Sequence, residues 1–184
     1  REEIIQHEKK SVNNSKVQNL KILILGGSQA AKIFAEILPP ILKKCKDAKI
    51  SFEVYQQCLP KQKKVLNDFY FNSNIDCQVF HFTNKLTDYF SKANLAITRA
   101  GSSMLAELVN TRIPFISVPL PSSADNHQYK NAIFYAKKQY SYLVEERNLK
   151  KDLFDLIKKI HDDKSLLNEM AKKQSKYSDK SVYK

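Results

Sequence analysis

Six short apolar runs, each followed by a segment of helical periodicity, constrain this chain more than any other feature. The runs are Leu20–Leu25 (LKILIL), Ile50–Tyr55, Gln78–Phe82, Asn94–Thr98 (NLAIT), Pro114–Leu120 (PFISVPL) and Tyr140–Val144. The first helical stretch, Gln29 to about Lys44, repeats apolar residues at Ile33, Ile37, Ile41 and Leu42. Others fall at 61–71, Lys85–Lys92, Met104–Asn110 and Asp125–Lys138. Two basic amphipathic helices, about 149–161 and 165–175, close the series. Strands separated by whole helices cannot pair as tight hairpins. They pair side by side in parallel, with helices packed on both faces of the sheet. The adjacent Pro39 and Pro40 are predicted to kink or split the first helix, because each removes a backbone donor.

The expected fold is therefore α/β and Rossmann-like, a parallel six-stranded sheet with helices on both faces. In such sheets ligands bind beyond the carboxyl ends of the strands, at a switch point of strand order. Glycine then says where to look. The chain has three glycines in 184 residues, Gly26, Gly27 and Gly101, against about 7% in ordinary usage. All three fall where a strand gives way to a helix.

The first glycine loop is Gly26-Gly27-Ser28-Gln29. Glycines let backbone amides come close to a ligand, and a helix starting there turns its free N–H groups and positive dipole end to the same point. A phosphate cradle fits this loop, and so does a tight turn with Ser28 as helix cap. The sequence has neither G-x-x-x-x-G-K-[ST] nor G-x-G-x-x-G, and the second strand leads into Gln56-Gln57 rather than an acid. A P-loop ATPase is excluded on that pattern, and a dehydrogenase is not expected.

The second loop runs Arg99-Ala100-Gly101-Ser102-Ser103-Met104-Leu105-Ala106-Glu107. With Ser102 or Ser103 as cap, Glu107 is not the capping-box partner. One turn into the helix, its carboxylate can accept two hydrogen bonds from a vicinal diol such as a ribose, or can simply favour the helix dipole. A third cluster, Asp125-Asn126-His127-Gln128-Tyr129, mixes donors and acceptors in the way sugar hydroxyls require. His7, His81 and His161 stand alone, H-E-x-x-H is absent, and no metal site is expected. Cys45, Cys58 and Cys77 are odd in number without a C-x-x-C, and read as buried thiols of a reducing compartment.

The net charge is +12, carried by 27 lysines and only four arginines. A dedicated reader of phosphate backbones would favour the planar arginine fork, so no nucleic-acid partner is expected. Dispersed lysines suffice for attraction to an anionic membrane surface. The chain has no apolar run of transmembrane length and no signal peptide at Arg1-Glu2-Glu3-Ile4. Lacking an initiator Met, it reads as a segment of a longer protein. A basic, non-enzymatic module that binds nucleic acid or lipid is the competing reading of the charge.

Three segments in register resemble one family. Leu23–Gln29, then Thr98–Ser102 leading to Ala106-Glu107, then Asp125–Ala132 are similar to the C-terminal domain of the MurG family, bacterial N-acetylglucosaminyltransferases that make lipid II. The match in order and spacing runs from about residue 20 to 175. It implies one half of a two-domain GT-B glycosyltransferase. Residues 1–19 would be an interdomain arm, 20–176 the nucleotide-sugar donor-binding domain and 177–184 a tail. The acceptor domain, with the catalytic base, would precede Arg1.

The resemblance further implies that Gly26, Gly27 and Ser28 meet the diphosphate of UDP-N-acetylglucosamine, and that the backbone at Thr83 holds the uracil edge. Gly101, Ser102, Ser103, Met104, Leu105, Ala106 and Glu107 would line the nucleotide, with Glu107 on the ribose. His127 and Gln128 would face the sugar, and Arg1 would be the family's nucleotide-contacting arginine. Ala30 stands where the family commonly has glycine. The implied reaction inverts the anomeric carbon and moves N-acetylglucosamine to lipid I without a cofactor or structural metal. It places the protein peripherally on the cytoplasmic face of the inner membrane, in peptidoglycan synthesis, and so in cell-wall biogenesis, cell shape and cell division. A separately encoded donor subunit acting with a membrane-anchored partner is an alternative arrangement.

Overall fold

Strand alternation decides which side chains go to which face. In the first strand, β1 (Leu20–Leu25), Leu20, Ile22 and Ile24 join one buried cluster while Leu23 and Leu25 join another. Successive side chains of a strand point to opposite faces, so a strand apolar on both must be covered on both. The computed structural model describes residues 19–181, and for 28–31 and 178–181 the backbone only. The arm expected at 1–19 therefore lies almost wholly outside the described residues.

The remaining strands are β2 (Phe52–Gln57), β3 (Cys77–Phe80), β4 (Leu95–Thr98), β5 (Phe115–Ser117) and β6 (Ser141–Leu143). All pair in parallel, in the order β3-β2-β1-β4-β5-β6. The helices are α1 (Gly27–Asp47), α2 (Lys63–Asn72), α3 (Leu86–Lys92), α4 (Ser102–Asn110), α5 (His127–Lys137), α6 (Leu149–Asp162) and α7 (Ser165–Ser181). One core packs α1, α2 and α6 on the sheet through Phe34, Leu38, Leu66, Tyr70, Leu153 and Ile157. The other packs α3, α4 and α5 through Phe90, Leu105, Leu108 and Ala132. The expected parallel six-stranded sheet, covered on both faces, is the fold.

Two expectations about helices need correction. Pro39 and Pro40 lie inside α1, which is not split. Each proline costs the bond to the carbonyl four residues back, here Ala35 and Glu36. Glu36 is exposed, so water can replace that lost donor. Leu38 before the pair and Ile41, Leu42 and Cys45 after it are buried, which holds both halves on the sheet. At the other end, α7 continues to Ser181, so residues 177–181 extend a helix rather than form a separate tail. Gln174 fastens α7, donating through Nε2 to the carbonyls of Ile113 (3.0 Å) and Tyr140 (2.9 Å).

Candidate functional site

The strand order reverses direction at one place. β1 is followed by β2 on one side and joined by β4 on the other. The last register pair between β1 and β4 is Leu25 with Thr98. Gly26-Gly27 and Arg99-Ala100-Gly101 leave the sheet just beyond that pair, so both glycine loops sit at the switch point.

Each loop opens a helix. Gly26, not Ser28, is the cap residue of α1. Gly27 has φ +61°, a left-handed conformation that a side chain disfavours. Its N–H donates to Gln57 Oε1, 3.3 Å away at the end of β2. Ser28 lies in the first turn of α1, its side chain outside the description, as is the whole of Arg1.

Gly101, not Ser102 or Ser103, caps α4, with φ −69° and ψ 136°. Any residue adopts that backbone, and a Cβ there would meet nothing within 4 Å. Glycine at this position is thus required by neither strain nor packing within the protein.

The first turns of α4 divide by face. Ser102, Ser103, Ala106 and Glu107 are exposed, and Gly101 and Met104 are half-buried. Leu105 is fully buried against α4's own Leu108 layer. The expectation that Leu105 lines a nucleotide is therefore corrected for its side chain, which belongs to the core; only its backbone is left. Helical spacing explains the difference, because Leu105 shares its face with Leu108 and Val109 whereas Ser103 and Glu107 share the opposite one.

The third cluster is built on unusual backbone. Asp125 and Asn126 both have positive φ, 47° and 58°, immediately before α5. Asn and Asp tolerate this conformation best among side-chain-bearing residues. His127 is exposed, and its Nε2 lies 3.8 Å from Asp125 Oδ2. Gln128 turns the other way. Its Oε1 accepts from the N–H groups of Ala100 (3.2 Å) and Leu120 (2.9 Å). Of Gln128, expected to face a sugar, the amide oxygen is thus occupied within the protein, and the –NH2 is the side chain's donor group. Asn131 reinforces the same clamp, donating through Nδ2 to Ala100 O at 3.0 Å.

Thr83 lies on the same carboxyl edge, three residues past β3, where Oγ1 accepts from Lys85 N at 3.0 Å. Among the described residues no three His, Cys, Asp or Glu side chains are grouped so as to hold a metal ion.

Arg99 is the residue whose part the sequence reading missed. Its guanidinium is buried, lies 5.0 Å over the Phe34 ring, and donates through Nη1 to Val118 O (3.2 Å) and Pro119 O (3.4 Å). Nη2 meets Glu146 Oε2 at 2.5 Å. One side chain thus joins α1 and the loops after β4, β5 and β6. The available signal was an arginine directly after the strand Leu-Ala-Ile-Thr, in a chain with only four arginines.

The model of the glycosyltransferase family 28 C-terminal domain matches residues 21–184. The chain belongs to that family. It is 35% identical over 158 residues to the UDP-N-acetylglucosamine–N-acetylmuramyl-(pentapeptide) pyrophosphoryl-undecaprenol N-acetylglucosamine transferase of Pelagibacter ubique, covering 85% of this chain and 40% of that protein. The transferase of the same name from Rickettsia typhi is 35% identical over 165 residues, covering 86% and 43%. The chain thus spans about two fifths of the length of these curated relatives. The crystal structure of Acinetobacter baumannii MurG superposes with a TM-score of 0.76 at 27% identity, over 91% of this chain and 50% of that one. The resemblance read from the three motifs is that of a family 28 C-terminal domain, the domain found here.

Proposed function

We propose that this chain is the donor-binding domain of an inverting hexosyltransferase. In this reading it binds UDP-N-acetylglucosamine, whose sugar moves to undecaprenyl-pyrophosphoryl-N-acetylmuramyl-pentapeptide, the lipid I to lipid II step of peptidoglycan synthesis. The observation that carries it is the convergence of two glycine-opened helix N-termini, α1 and α4, beyond the paired ends of β1 and β4. Family membership gives that convergence its donor, since the relatives above are named for this reaction.

The roles are those the family resemblance implies. The α1 amides after Gly26-Gly27, with Ser28, face the diphosphate. As the glycosidic bond breaks, charge grows on the β-phosphate, and a helix N-terminus stabilises it through fixed N–H dipoles that need no reorganisation. Gln57 Oε1 accepts from the Gly27 N–H, at the point this reading gives to a phosphate oxygen. Gly101 leaves the open space a close-approaching nucleotide needs, with Ser102, Ser103 and Glu107 on the exposed side of α4 and Glu107 on the ribose diol. Thr83 presents its backbone to the base. His127 and the Gln128 –NH2 group face the sugar.

The site for the acceptor's sugar and lipid, and the base, belong in this reading to the part of the relatives that this chain does not span. Among the described residues no helix is long and apolar enough to cross a membrane. With a net charge of +12, peripheral attachment to an anionic leaflet on the cytoplasmic side is the location we assign, tested by salt-sensitive sedimentation with acidic vesicles.

Calorimetry of the domain with UDP-N-acetylglucosamine and UDP-glucose, in wild type and Glu107→Ala, tests the reading itself. Binding that weakens in the variant is expected. A folded sample with no affinity for either nucleotide sugar at millimolar concentration sinks it.

A further inference from the structure

We infer that the open pocket between the loops after β5 and β6 receives the peptide of the acceptor, an inference that rests on the transferase reading above. The pocket has a volume of about 420 Å³, within the range of ordinary small-ligand sites. Its lining combines apolar Pro119, Leu120, Pro121 and Tyr129 with polar Asn126, Glu145 and Arg147.

Three observations connect it to the reaction centre. It shares a wall with the sugar-facing residues, because Asn126 and Tyr129 flank His127 and Gln128 and the Leu120 N–H is bound by Gln128 Oε1. It is held open by one buried group, since Arg99 bonds both the Val118 and Pro119 carbonyls and Glu146. Its wall also carries Asn126, whose left-handed backbone, shared with Asp125, sets the turn into α5. Strand order sets the direction. Thr83 follows β3 at one edge of the sheet and this pocket follows β5 and β6 at the other. The nucleotide and the pocket thus lie on opposite sides of the sugar.

The acceptor's chemistry supplies the occupant. In N-acetylmuramic acid the peptide hangs from a lactyl ether on C3, the carbon next to the C4 hydroxyl that attacks the donor. The first peptide atoms are therefore within about 5 Å of the reacting oxygen, and five extended residues reach at most roughly 17 Å further. Such a chain can leave the reaction centre along a wall beside the donor sugar, and cannot pass through the space the nucleotide fills. A short peptide offers amide donors and acceptors, small apolar side chains and carboxylates. Asn126 can both donate and accept, Tyr129 and the prolines offer apolar contact, and Arg147 can donate to a carboxylate. Glu145 holds the Arg147 side chain at 3.0 Å through Nε, leaving the two terminal nitrogens outside that contact.

The test compares two acceptors in the intact transferase that carries this domain: the lipid-linked muramyl pyrophosphate with its pentapeptide, and the same lipid with the peptide removed. The measured quantity is the ratio of kcat/KM for the first over the second. Wild type is expected to favour the peptide-bearing acceptor by about tenfold, the effect of one or two good polar contacts. In Tyr129→Leu and Arg147→Gln that ratio is expected to fall towards one. Arg147 is 77% exposed, so its replacement leaves the fold intact and decides the matter even where Tyr129→Leu is unstable. A wild-type ratio of one, or a ratio unchanged in Arg147→Gln, overturns the assignment. Transfer to neither acceptor by wild type, together with no calorimetric signal for UDP-N-acetylglucosamine, overturns the transferase reading beneath it.

Discussion

Arg99 Nη2 and Glu146 Oε2 meet at 2.5 Å, although β4 and β6, which lead to them, are separated by β5. The arginine is 9% exposed and the glutamate 22%. Removing one member of such a pair strands the other in a poorly solvated place, at a cost of about 3–5 kcal/mol. Arg99→Ala is expected to lower the unfolding free energy in urea by that amount. Arg99→Lys should recover only part of the loss, because a single ammonium cannot reach two carbonyls and a carboxylate while lying over Phe34. An Arg99→Ala protein with wild-type stability would mean that the pair holds nothing together.

Gly27 and Gly101 separate strain from ligand approach. Gly27→Ala puts a Cβ at φ +61°, and an L-residue in that conformation costs roughly 1–2 kcal/mol. Gly101→Ala has ordinary backbone and open space around the new methyl, so its stability is expected to stay within about 0.5 kcal/mol of wild type. If a nucleotide comes close to Gly101, the second variant loses affinity for UDP-N-acetylglucosamine without losing stability. Calorimetry beside a urea melt on the two variants reads both effects.

The parts of this architecture set by local pattern were legible in the sequence. The alternation Leu20, Ile22, Ile24 against Leu23, Leu25 specifies a strand covered on both faces, and the helical spacing between strands forces parallel pairing. Gly27 marked the first loop for the same reason, since a backbone at φ +61° is a local requirement, whereas Gly101 stands on ordinary backbone. What the sequence hid depends on distant partners. Arg99 is buried because Val118, Pro119 and Glu146 come to it. Gln128 faces inward because the Ala100 and Leu120 amides need an acceptor. The double proline leaves α1 unsplit because the sheet beneath supplies the packing that isolated propensity lacks.

Burial makes the thiol chemistry directional. Cys45 is fully buried, and desolvation pushes its pKa from the ordinary value up to about 12. The folded protein therefore keeps a proton that the unfolded chain loses near pH 9. Between about pH 9 and 12 the folded state binds the extra proton, so stability falls as pH rises and is untouched by this group at neutral pH. The loss is on the order of a few kcal/mol across the window. Burial raises Cys58 and Cys77 in the same direction. Urea melts from pH 7 to 11 should show the decline, and Cys45→Ala should flatten part of it. At pH 8 the folded Cys45 is expected to resist iodoacetamide, with alkylation appearing only on unfolding.

Gln128 can be divided into its two halves by substitution. Gln128→Ala removes the acceptor for two backbone N–H groups, one of them on the fully buried Ala100. Leaving such donors unpaired costs about 1–3 kcal/mol, and the loop before Gly101 keeps only the Asn131 tie to α5. Gln128→Glu keeps an oxygen for both amides and exchanges the –NH2 for a carboxylate oxygen, which removes the donor and adds a negative charge. Its stability is expected to stay within about 0.5 kcal/mol of wild type, because the pairing inside the protein is preserved. Its affinity for UDP-N-acetylglucosamine should fall by about tenfold more than its affinity for UDP, because the new charge acts on both ligands and the lost polar contact on the sugar alone. Equal weakening towards UDP and UDP-N-acetylglucosamine would show that Gln128 acts only by holding the Arg99–Gly101 loop, and that the sugar is read by other groups.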